Sequence, residues 1–144
     1  MKVHNISWIN RAFKHALNNI TDKYGIPIFE ITIVVKFYRY GNFQFIVCHN
    51  EKPIVFIRID TLMNQKMAAL GFNTSTIERM VNMMHQSFLR ECKLKDPKEI
   101  SLILYESPKE DCCCVGVVHQ TKVLRVMRLY EVIECMDLGV EQLN

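Results

Sequence analysis

The 144-residue chain contains no run of about 18 consecutive apolar residues, which excludes a membrane-spanning helix as an expectation. Gly and Pro are scarce, five and four, which leaves no room for long linkers, collagen-like repeats or a low-complexity tract. No internal repeat stands out. There is no CxxC or HxxxH spacing, no HExxH, no GxSxG and no glycine-rich phosphate loop, so none of the common metal, hydrolase or nucleotide signatures applies. No dense basic stripe occurs either. The formal charge is +3, and basic residues alternate with acids, as in Lys95-Asp96-Pro97-Lys98-Glu99. Arg11, Lys14, His15 and Lys23 read as the solvated side of a helix, and nucleic acid is not an expected partner.

What the chain does have is the composition of an ordinary globular domain, 49% hydrophobic and 23% charged. Its length fits one domain spanning 1–144, with 1–5 and 140–144 frayed. The start of the chain, one Lys and then Val3-His4-Asn5, shows no apolar leader. A cytoplasmic location is the expectation. The six cysteines are then free thiols in a reducing compartment.

Apolar positions at Ile9, Ala12, Phe13, Ala16, Leu17, Ile20 and Tyr24 recur at helical spacing over 7–24, and Gly25 with Pro27 ends that helix. From 28 to 39 the period changes to two. Phe29, Ile31, Ile33, Val35 and Phe37 share one face of a strand, while Val34 and Tyr38 lie on the other. Second and third strands follow at 43–49 and 54–59. A three-residue Tyr40-Gly41-Asn42 loop is expected, pairing Phe37 with Phe45 and Val35 with Val47. Val55, Ile57 and Ile59 then face Val47, Phe45 and Phe43. A short helix is predicted over 61–70, capped by Asp60 or Thr61, with Met63 and Met67 on its buried stripe. A longer one follows over 76–92, with Ser75 and Glu78 as a capping box. Strands are predicted at 100–106 and 112–119. The segment 122–137 reads as a helix, with a sixth strand over 123–130 as the alternative.

The fold class is therefore α+β, an antiparallel sheet of about five strands with helices on one face, in the order α-β-β-β-α-α-β-β-α. Over 7–137 that order resembles the class I chaperones of bacterial type III secretion. Profilin-like and roadblock-like modules and small phage neck or tail subunits are similar in size and class. The resemblance implies a small dimer that escorts an extended segment of another protein. Those chaperones are usually acidic, whereas this chain is mildly basic, and no binding residue carries over.

Two sets of residues are candidates for function. Cys112-Cys113-Cys114 suggests a cysteine- or metal-dependent enzyme or sensor, with His49 or His119 as helpers. The simpler reading is that small apolar Cys fill strand positions on alternate faces. Cys48 or Cys113 beside a His would need a contact that sequence does not display. Among the methionines, Met83 lies off its helix's main stripe and is expected at the surface, and Trp8 could pack or anchor. The stronger set is Val34, Tyr38, Ile46, Ile54 and Phe56, an apolar group on the reverse of the first three strands. It implies burial against another copy or another protein. The sequence-based reading is thus a non-enzymatic oligomeric or escort protein, such as a viral or phage assembly component. It has no catalytic residue, cofactor or metal.

Overall fold

A computed structural model describes residues 3–58 and 74–134, with the side chains of 3–10, 12, 76, 133 and 134 outside that description. Helix α1 spans Val3–Tyr24. Strands β1 (Ile31–Arg39), β2 (Asn42–His49) and β3 (Lys52–Ile57) form a meander. Helix α2 spans Thr74–Glu91. A second meander, β4 (Ile100–Ser107), β5 (Cys112–His119) and β6 (Lys122–Arg128), leads into the short α3 (Leu129–Glu134). The six strands make one antiparallel sheet in the order β3-β2-β1-β4-β5-β6.

The two halves repeat one plan. Each runs from a helix through a 3-10 turn (Ile28–Glu30 or Pro97–Glu99) into a three-strand meander. At the centre β1 pairs with β4, setting Val34 opposite Ile103, the fourth residue of each strand. Each outer hairpin carries one register shift, between Val47 and Cys48 and between Val117 and Val118. Left-handed residues recur at matching corners: Gly25 and Lys93 after the helices, Gly41 and Asp111 in the first turns, Asn50 and Gln120 in the second. An approximate two-fold axis therefore passes through the sheet between Val34 and Ile103. The repeat is faintly legible in sequence as Glu30-Ile31-Thr32-Ile33-Val34-Val35 against Glu99-Ile100-Ser101-Leu102-Ile103-Leu104.

The core lies between one sheet face and the helices. Phe13, Ala16, Leu17 and Ile20 of α1 and Ile77, Met80, Val81, Met84 and Phe88 of α2 pack with Ile33, Val35, Phe37, Phe45, Leu102 and Val115. The helical stripes and the period-two strand pattern are the two halves of this contact. Phe37 also stacks flat on His85 of α2, ring centroids 3.6 Å apart, and the imidazole Nε2 lies 2.8 Å from the Pro97 carbonyl oxygen. Burial in that apolar slot lowers the His85 pKa, only partly offset by the bond to Pro97.

Several expectations are corrected. Of the segment expected as a helix over 122–137, Lys122–Arg128 is a sixth strand and Leu129–Glu134 a short helix, while 135–137 lie outside the described residues. Val123, Val126 and Met127 find a partner edge on β5, and β-branched residues suit that edge better than a helix. The first hairpin is tighter than expected. Tyr40 and Gly41 alone form the turn, Phe37 pairs with Phe43, and Val35 with Phe45. A left-handed Gly41 makes the two-residue turn possible, and a shift between Phe37 and Arg39 absorbs the odd residue, so the faces are not mixed. Phe29 is exposed rather than core, because the chain enters the sheet at Ile31 from a 3-10 turn. The predicted helix over 61–70, with Asp60, Met63 and Met67, and Ile59, the Trp8 side chain and the ends 1–2 and 135–144, lie outside the described residues.

Candidate interaction surface

Side chains alternate across a strand, so the face turned away from the helices is fixed by the register that builds the core. One row crosses that face from edge to edge. Phe56 pairs with Ile46, Ile46 with Val34, Val34 with Ile103, Ile103 with Gly116, and Gly116 with Val126. Not one of these six belongs to the core cluster. Phe56 is 62% exposed and Val126 53%, while Val34, Ile46 and Ile103 are half-buried by their neighbours in the sheet. Tyr38 (40%) and Ile54 (44%) extend the patch around Phe56. Among the described residues every core helix packs on the opposite face.

Gly116 has a specific use. A Cβ built there would sit 2.7 Å from Cγ1 of Ile103. The isoleucine therefore lies across the glycine backbone, and the middle of the β4–β6 half is low. Polar groups stand at the margin. The Tyr38 hydroxyl donates to Gln44 (2.7 Å), and Lys36 Nζ lies 5.7 Å from the Tyr38 ring centroid. Arg128 is held by Glu110 at 2.6 Å and by the Tyr130 hydroxyl at 3.1 Å.

Val34, Tyr38, Ile46, Ile54 and Phe56 lie on three adjoining strands, β1–β3, with Ile54 at the register shift between Pro53 and Val55. Sequence reasoning missed its other half, Ile103, Gly116 and Val126. The signal was available in the alternation of 100–106 and in the lone glycine of the fifth strand.

The cysteines divide as strand alternation requires. Cys113 belongs to the core cluster opposite Glu106, while Cys112 and Cys114 share the open face near the Arg128 margin. All three are buried free thiols. Burial raises the pKa of Cys112, raises that of Cys113 well above its ordinary value, and with Cys112 alongside pushes Cys114 up to about 11. A thiol activated as a nucleophile carries the opposite shift. Glu106 is buried beside Cys113, and desolvation raises its pKa against the opposing pull of Lys14. Among the described residues no three His, Cys, Asp or Glu side chains are arranged to hold a metal ion. Nor is any helix among them long and apolar enough to cross a membrane. Met83 is half-buried against the core rather than free at the surface.

An open depression of about 680 Å³ lies at the end of the β2–β3 hairpin, lined by residues that include Tyr38, Phe45, Phe56 and Glu78. Among its described lining residues there is no cysteine or histidine. No family model, curated protein or solved structure matches this chain. What the fold and surface define is a class: a two-layer α+β domain with one sheet face that no described helix covers.

Proposed function

We propose that this is a non-enzymatic protein that acts by protein–protein contact, as an assembly subunit or an escort working inside the cell. The open face of the sheet is its interface. The observation that carries the reading is the continuous apolar row from Phe56 to Val126, with no described helix over it. The largest exposed apolar patch of a single domain, commonly about 300–600 Å², is often its functional surface. The exposed parts of Tyr38, Ile54, Phe56, Val123 and Val126 come to roughly 400 Å² by themselves. Covering such side chains contributes about 1.5–3 kcal/mol each before ordering costs.

The margin agrees with this. Interfaces carry an apolar centre and a polar rim. Lys36, Gln44 and the Arg128–Glu110 pair stand where a rim belongs. Buried, protonated thiols fit packing better than chemistry.

The test is Phe56→Asp, which places a charge in the patch and touches no core residue. The expected outcome is an unchanged circular dichroism spectrum with loss of association, read as solution mass by light scattering. An associated mass equal to that of the unsubstituted chain ends the reading.

A further inference from the structure

We propose that the occupant of the open face is a second copy of this chain. The two sheets pack face to face about a two-fold axis parallel to the central strands, and Phe56 of each copy lies over Gly116 and Val126 of the other. This rests on the open face being an interface.

Size is the first support. Six strands about 4.8 Å apart and some seven residues long present a face of roughly 29 by 23 Å. That is on the order of 650 Å² in projection, and more as accessible surface. A stable interface needs about 800 Å² per partner. A second sheet of the same outline covers the whole patch, and sheets stack about 10 Å apart with strands within some 30° of each other.

Shape is the second. The approximate two-fold of the monomer relates Phe56 to Val126 and Ile46 to Gly116 by position, but not by size. The row is high at Phe56 and low one strand in from its other end, where Ile103 lies flat over Gly116. An axis parallel to the strands carries β3 of one copy over β6 of the other, setting high on low twice. An axis along the row would set Phe56 on Phe56 and leave a gap between the two glycines. The first arrangement is self-complementary, as an isologous contact must be. It also closes at two copies.

Charge is the third. The central row holds no ionisable group.

The experiment measures mass by light scattering over a wide concentration range for the unsubstituted chain and for Phe56→Asp. A short bis-maleimide is then applied to Phe56→Cys, to Val126→Cys and to the variant carrying both, with the unsubstituted chain as background. The expected result is a dimer whose dissociation constant rises at least about 100-fold in Phe56→Asp. Cross-linking should be efficient only in the variant carrying both cysteines or in a mixture of the two single ones. Efficient cross-linking of Phe56→Cys to itself overturns the geometry. A dimer unaffected by Phe56→Asp overturns both the geometry and the interface. A chain monomeric at every concentration overturns the second copy alone when Phe56→Asp abolishes its binding to a purified different protein, and otherwise overturns the interface as well.

Discussion

Ile33, Val35, Phe37, Phe45, Leu102 and Val115 lie sealed beneath two helices, each at most 2% exposed. One position away along the same strands, Val34, Ile46, Phe56, Ile103 and Val126 point the other way, and no described helix reaches them. The chemistry of the two faces is alike. What differs is the covering layer: α1 and α2 each bring an apolar stripe to one side only. A period-two pattern with hydrophobes at both phases ordinarily marks a sheet buried on both faces. Among the described residues this sheet satisfies that pattern once, on the face beneath the two helices.

The largest expected effect tests the covered side. Phe45→Ala removes a fully buried ring and should cost about 3–5 kcal/mol, a large share of an ordinary domain's stability. Denaturant midpoints would show it. A loss under 1 kcal/mol would mean that the face under the helices is not the structural one.

Next is the flattened middle of the open face. Gly116→Val forces Ile103 off the backbone it lies on and should cost about 1–3 kcal/mol by overpacking. Because the two side chains share one space, Ile103→Ala should relieve most of that cost. A double-mutant cycle with additive losses would show that they do not meet.

A smaller effect probes the covered face by pH. His85 sits in the core with its pKa lowered by burial, so its neutral form is the one the fold accepts. The unfolded chain binds a proton near pH 6.5 and the folded chain only at lower pH. The stability contributed by neutral His85 is present above pH 6.5 and is lost as pH falls toward the folded pKa. Thermal midpoints should drop across that window, and His85→Gln should flatten the drop. Glu106 runs the other way. Its raised pKa favours folding below about 4.5 and disfavours it above, so Glu106→Gln should stabilise at pH 7 and do little at pH 4. An equal gain at both pH values would contradict burial as the cause.

The sequence carries the covered face more plainly than the open one. The stripes at Phe13, Ala16, Leu17 and Ile20 and at Ile77, Met80, Val81 and Met84 are periodic enough to be read directly, as is the alternation from Ile31 to Phe37. The reverse patch on β1–β3 follows from that alternation. Its continuation on β4–β6 does not, for two reasons. Val123 to Tyr130 satisfies helical and extended spacing almost equally, and only the free edge of β5 decides between them. The adjacency of β1 and β4 is a long-range pairing that no local pattern encodes. The hairpin register was off by two residues because both loops keep the aromatic face whole, and the choice depends on Gly41 and one shifted position. His85 was invisible as a core residue because its partners, Phe37 and the Pro97 carbonyl, come from distant segments.

The smallest expected effect is the most telling for the open face. Phe56→Ala removes as much ring as Phe45→Ala, from the neighbouring strand of the same sheet. In a dilute monomer Phe56 is already largely in water, so truncation forfeits little transfer energy and leaves no cavity. Its effect on monomer stability should lie within about 0.5 kcal/mol. At concentrations where copies associate, the same change should lower the thermal midpoint, because binding to the folded state adds stability by mass action. The midpoint of the unsubstituted chain should therefore rise with protein concentration, and that of Phe56→Ala should rise less. Equal concentration dependence in the two would remove Phe56 from the contact.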